Sequence, residues 1–131
     1  MLNKYEKQLY ALFRIIVGFL FLWHGSQKLF NFPPMHPGMV VPFYIIAIGG
    51  TIEFFGGLLI CLGLWTPWAA FLASGQMAFA YWSVHGLNAI LPVVNMGELA
   101  VVYCFAFLFI SAYGSGIWSI DAILKEKKLK E

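Results

Sequence analysis

Between residues 8 and 120 this chain has only four charged side chains, Arg14, Lys28, Glu53 and Glu98. Charged residues fill 11% of its 131 positions, against about 25% in soluble domains. So little charge cannot cover a core drawn from the 61% that is hydrophobic, so a water-soluble fold is excluded and the exterior is expected to face lipid. The other charges crowd the ends, at Lys4, Glu6 and Lys7 and from Asp121 through Glu131. A net charge of +2 placed there is not evidence for nucleic acid, which is not expected as a partner, and suits anionic lipid headgroups. Cysteine is scarce too. Cys61 and Cys104 form no Cys-x-x-Cys. Their predicted depths differ by on the order of 10 Å, beyond disulfide reach, so both read as packing residues. The first apolar run ends in Trp23-His24-Gly25-Ser26-Gln27 rather than a small-x-small cleavage pattern, and is read as a retained span.

What the chain has is apolar runs. A spanning helix needs about 20 such residues, and four segments qualify: 9–30, 43–65, 66–85 and 97–113. Asn31 to Pro42 holds four prolines and a glycine and cannot continue a helix. Leu64-Trp65-Thr66-Pro67 reads as a tight turn, and Gly86 to Gly97 as a polar connection with Asn88, Pro92 and Asn95. Gly114-Ser115-Gly116 stops the last span, and residues 117–131 form an amphipathic tail. The chain is one domain, 1–131. Its expected fold is all-α, an integral membrane four-helix bundle in a prokaryotic cytoplasmic membrane. Lys4 and Lys7 on one flank and four lysines on the other put both termini in the cytoplasm. Trp23, Trp65, Trp68, Trp82 and Trp118 fall near span ends, as an interfacial belt does.

Glu53 lies about 15 Å from either edge of its span. A carboxylate there costs roughly 3 kcal/mol or more to insert, so it should face protein or a wet cavity. Gly49, Glu53, Gly56, Ile60 and Gly63 share one helical face, a stripe along which a neighbouring backbone can come close. Two readings stand for Glu53: a proton-relay or ligand group, or a structural carboxylate locking the bundle. Arg14 either snorkels to headgroups or turns inward with Gly18, Phe21, Gly25 and Lys28, His24 at the edge of that face. In the second case Glu53 sits in depth between Arg14 and His24. Gln76, at the same depth as Glu53, suits an interhelical hydrogen bond. These five, Arg14, His24, Lys28, Glu53 and Gln76, form a candidate buried polar site. At the outer face His85 and Glu98, with His36, either make a polar cluster or simply touch water. No ligand spacing marks a metal site. Asn95-Met96-Gly97-Glu98 also reads as a capping box, with Asn95 as N-cap.

Leu12-Phe13-Arg14-Ile15, Phe21 to Leu29 around Trp23-His24-Gly25-Ser26-Gln27-Lys28, Glu53-Phe54-Phe55-Gly56-Gly57 with Gly63, and Gly114-Ser115-Gly116-Ile117-Trp118-Ser119-Ile120-Asp121 follow one another in order. Together they resemble the DoxX family of small bacterial and archaeal membrane proteins, from about residue 12 to 121. The resemblance implies a four-helix membrane bundle. Some relatives are associated with quinone-linked sulfur oxidation and others with membrane oxidoreductase complexes that handle oxidative stress; distantly similar proteins serve assembly and cargo roles. It supplies no agreed catalytic set: Arg14, His24, Lys28, Glu53 and Asp121 match as motif positions only. The leading expectation is a membrane subunit of a redox system that binds quinone, in a homo-oligomer or with other redox-complex subunits. The chain has no haem, flavin or iron–sulfur signature, so such a partner would bring the electron carrier. The rivals are an assembly partner without chemistry and a small-solute or proton carrier, for which no inverted repeat is visible.

Overall fold

The computed structural model describes residues 1–38 and 42–131, and every regular element among them is helical. Residues 39–41 of the proline-rich connection lie outside the described residues. Helix α1 spans Glu6–Phe30 after a short 3-10 turn at Asn3–Tyr5, and stops where Asn31 turns left-handed. Helix α2 spans Ile45–Leu62 and is π-helical at Ile45–Gly49 and again at Ile52–Gly56. Gly63, at φ +71°, ends it. A Cβ there would stand 2.3 Å from the Ser119 Cβ, so the position needs glycine for space as well as for conformation. Helix α3 begins directly after the turn, at Thr66–Ala80 with Pro67 in its first turn, and runs into a π-helical turn at Tyr81–His85. A one-turn helix α4, Pro92–Asn95, leads to α5, Glu98–Tyr113. Gly114 and Gly116, both at positive φ, turn the chain toward α6, Ile120–Lys128, which Ser119 caps through the Ala122 N–H.

The helices pack in two antiparallel pairs. In the first, α1 meets α2 through glycine. A Cβ on Gly18 would lie 2.6 Å from the Cys61 nitrogen, one on Gly57 2.6 Å from the Leu22 nitrogen, and one on Gly25 2.2 Å from the Phe54 nitrogen. Backbones this close are held by dispersion, which needs no water to drive it. In the second, the small side chains Ala69, Ala70, Ala73 and Ser74 bring α3 against α5. Ser74 donates to the Cys104 carbonyl at 2.8 Å and Ser111 to that of Pro67 at 2.9 Å. Phe21, Ile60, Phe107 and Ile110 fill the centre.

The exterior reverses that of a soluble protein. Phe19, Ile48, Phe55, Phe71, Phe79, Val102 and Phe105 are exposed, while Arg14 and Glu53 are buried. Two helical stretches, Asn3–Phe30 and Ile45–Leu62, are long and apolar enough to cross a membrane; Glu98–Tyr113 is apolar but shorter.

Three expectations need correction. The close crossing uses Gly57, whereas a Cβ on Gly56 would meet only the Ile52 side chain, at 4.0 Å. The predicted stripe Gly49, Glu53, Gly56 and Ile60 is buried, but α1 lies against the adjacent face of Gly50, Phe54, Gly57 and Cys61, at ordinary helical spacing, while Gly49 meets Gln76 of α3. Residues 86–97 are not a polar surface: Leu87, Ile90, Leu91, Val93, Val94 and Met96 are exposed and Asn95 is buried. Nor is Asn95 an N-cap. Gly97 takes that position, Met96 is left-handed, and Glu98 is the first residue of α5. The Asn95 amide instead donates to Ala89 O at 2.8 Å and to the Tyr81 hydroxyl, and accepts from Gly97 N–H at 2.8 Å. It satisfies a connection whose backbone could not otherwise lie beside apolar surface.

Candidate functional site

The five residues of the expected buried polar site separate into two groups. Arg14 stands apart. Its side chain is fully buried. It donates to Ile60 O at 2.6 Å and Cys61 O at 2.8 Å, carbonyls at the end of α2, and to Trp118 O at 2.7 Å. A cation at a helix C-terminus also suits the helix dipole. Arg14 therefore neither snorkels nor approaches Glu53. The level of Glu53 on α1 is that of Gly25, some 16 Å along the helix from Arg14 at 1.5 Å per residue. Glu53 lies level with His24, not between His24 and Arg14.

Asp121 completes the arrangement at this end. Its carboxylate accepts from Trp65 N–H at 3.1 Å, Thr66 N–H at 3.4 Å and the Ser115 hydroxyl, and its own N–H donates to Gly63 O at 3.0 Å. Arg14 thus covers the last carbonyls of α2 and Asp121 the first amides of α3, from opposite sides of one turn. Residues 114–121 serve as a clasp for helix ends, a role that spacing along the chain does not reveal.

Lys28, Glu53 and Gln76 come together. Lys28 Nζ pairs with Glu53 Oε1, and Gln76 Nε2 donates to the same oxygen at 2.9 Å and to Gly49 O at 3.3 Å. Glu53 is 2% exposed and the Lys28 side chain 22%, so the carboxylate is shielded and the lysine only partly so. Burying such a pair is costly unless every lone pair finds a donor, and Glu53 Oε2 and Gln76 Oε1 find none. Glu53 sits in the second π-helical turn of α2; such turns often mark functional positions.

Both Glu53 and Lys28 line two cavities. One, of about 440 Å³, lies between α2 and α3 and is walled by Ile48, Ile52, Phe71, Gly75 and Phe79. The other, of about 600 Å³, lies among α1, α2, α3 and α5 and includes His24, Met77, His85, Met96 and Tyr103. Both fall in the size range of small-molecule sites, which are mostly apolar with a few convergent polar groups. His24 stands edge-on to Tyr103 at 6.0 Å.

The residues expected at the outer face do not form one cluster. His85 Nδ1 is 3.0 Å from Asn95 O and turns toward the larger cavity. Glu98 is exposed at the start of α5 and lines neither cavity, and His36 is exposed in the connection. Among the described residues no group of three His, Cys, Asp or Glu side chains could hold a metal ion. Gly75, in the smaller of these cavities, and Tyr103, in the larger, line the site without being announced by the sequence, because the cavity walls come from separate helices.

Buried charge, an apolar exterior and glycine-packed helices define a helical membrane protein. The DoxX family model matches residues 9–86, and the chain belongs to that family. A protein of Haemophilus influenzae that carries the name "Uncharacterized protein" is 37% identical over 125 residues, which cover 92% of this chain and 93% of that one. No solved structure matches.

Proposed function

We propose that this chain crosses a prokaryotic cytoplasmic membrane four times as a helix bundle, both termini cytoplasmic, and is the membrane subunit of a redox system that binds quinone. With its π-helical turn, α3 is about 30 Å long and α5 about 24 Å at 1.5 Å per residue, close to the thickness of the hydrocarbon core. The lysines of both flanks favour the stated orientation. One observation carries the functional reading: the Lys28–Glu53 pair lines two apolar cavities, with Gln76 bonded to it from the wall of one, and buried acceptor atoms of the cluster are still unmet. A quinone is an apolar ring and tail with polar atoms at the ring. Its size and chemistry suit that wall: the Lys28 ammonium, held by Glu53, would donate to a ring oxygen, and Phe71, Phe79 and Ile48 would line the tail. Quinone, when bound, would supply the two-electron chemistry, and a redox partner subunit carrying its own electron carrier would deliver the electrons.

The test is copurification in mild detergent with native lipid, followed by mass spectrometry of lipid extract and protein. Quinone at near one per chain together with a redox subunit is the expected result. Neither, and no change in quinone-reductase activity of membranes on deletion, would sink the reading.

A second reading, an assembly partner without chemistry, is favoured by Arg14 and Asp121, which serve helix ends only. It predicts that Glu53→Gln preserves function in cells while a bulky residue at Gly57 abolishes it.

A further inference from the structure

A buried tyrosine usually finds a partner for its hydroxyl. Three tyrosines are buried, Tyr10, Tyr81 and Tyr103. The Tyr10 hydroxyl donates to Gly114 O and that of Tyr81 to Ile90 O. Among the described residues the Tyr103 hydroxyl meets no partner, although the residue is only 7% exposed. Nor is that oxygen sealed off. The unpartnered side-chain atoms without surface are Arg14 Nε, Glu53 Oε2, Thr66 Oγ1 and Gln76 Oε1, and the Tyr103 hydroxyl is not one of them. It therefore keeps surface of its own, and the opening that Tyr103 lines is the larger cavity. Phe21 at 5.5 Å, Phe107 at 5.5 Å and His24 at 6.0 Å hold the ring in place.

The other polar groups of that cavity sort by what they can offer. Glu53 spends Oε1 on Lys28 and Gln76, and its Oε2 is sealed. His85 Nδ1 faces Asn95 O, an acceptor, so Nδ1 carries the hydrogen and the neutral ring has only a bare Nε2 left. His24 is exposed, so nothing fixes its ring toward a ligand. Hydrogens aimed at a ligand therefore come from Lys28 on α1 and Tyr103 on α5. We infer that the Tyr103 hydroxyl donates a hydrogen bond to a ring oxygen of the ligand, so that the polar ring lies in the larger cavity with Lys28 and Tyr103 as its two donors. The tail then runs between α2 and α3. Lys28, Ile45, Glu53, Ala80 and Val84 line both cavities, so one ligand can occupy the two together. This rests on the reading of the cavities as a quinone site and adds where the ring binds and which residue holds it.

Duroquinone labelled with a heavy carbon isotope at its carbonyls is bound to the full chain in phosphatidylcholine nanodiscs. Its carbonyl stretches are read by infrared difference against unlabelled quinone, with protein-free discs as the blank. A hydrogen bond lowers the stretch of the carbonyl that accepts it. In the unaltered chain the bands are expected below those of the blank. Tyr103→Phe, which keeps the ring and its packing, should return one of them upward. Equilibrium dialysis should show that variant binding about two- to tenfold more weakly, the factor that one neutral hydrogen bond corresponds to. Bands that match the blank in the unaltered chain, or that Tyr103→Phe leaves unmoved whatever the affinity does, overturn the inference and leave the quinone reading standing. No binding above the blank in the unaltered chain overturns both.

Discussion

Replacing Arg14 tests the inner clasp most sharply. The guanidinium is buried and makes three bonds of ordinary length, 2.6 Å to Ile60 O, 2.8 Å to Cys61 O and 2.7 Å to Trp118 O. A hydrogen bond from a charged donor contributes about 1.5–3 kcal/mol net. Part of that is returned when the cation no longer has to be desolvated, which itself costs several kcal/mol. Arg14→Leu should therefore destabilise the fold by about 3–5 kcal/mol, the range for breaking a buried charged contact, and strand carbonyls at the end of α2. Arg14→Lys keeps the charge but not the planar fork that reaches α2 on one side and residue 118 on the other. It should lose roughly 1–3 kcal/mol. Unfolding by SDS in mixed micelles, followed by far-ultraviolet circular dichroism, measures both. A side chain that merely snorkelled to headgroups would make lysine equal to arginine and leucine nearly harmless. If the three proteins unfold together, the clasp as described is wrong.

Other substitutions separate the remaining parts. Asp121→Ala should cost about 1–2 kcal/mol, as loss of a helix N-cap does, and raise hydrogen exchange at the amides of Trp65 and Thr66. At Gly57 valine has nowhere to go, its Cβ falling 2.6 Å from the Leu22 nitrogen, whereas Gly56→Ala meets ordinary contact distances. Thermal unfolding in detergent should drop steeply for the first and shift little for the second. Asn95→Leu strips the bonds that hold residues 86–97, about 1–3 kcal/mol of local stability. It should open that connection to protease from the outer face without unfolding α1 and α2.

Much of the fold can be read from hydropathy and punctuation. Pro67 marks the turn between α2 and α3, and Gly114 the end of α5, whereas Gly63, expected on the helical stripe of α2, instead ends that helix. The face carrying Arg14, Gly18, Phe21 and Gly25 is indeed buried. The interhelical bond expected of Gln76 is made. What could not be read has physical causes. Spacing along one helix shows which residues share a face but not which neighbour that face meets, and α1 packs on the face of Gly57 and not on that of Gly56. Asn95 is polar in composition but faces inward, so the connection around it shows apolar side chains instead. Arg14 and Lys28 look alike as inward cations on one helix. Only the antiparallel register of α1 on α2 shows that one meets helix-end carbonyls and the other Glu53.

The central claim is that the polar inside is a ligand site and not a lock, and Gly75 offers the cleanest test of it. Gly75 lines the cavity between α2 and α3, and nothing lies within 4 Å of a Cβ added there. Gly75→Phe should fill the cavity without disturbing packing. The measurement is quinone retained per chain after purification with native lipid, set against thermal unfolding of the same sample. The account predicts that retention falls to background while unfolding is unchanged; retention equal to that of the unaltered chain would contradict it.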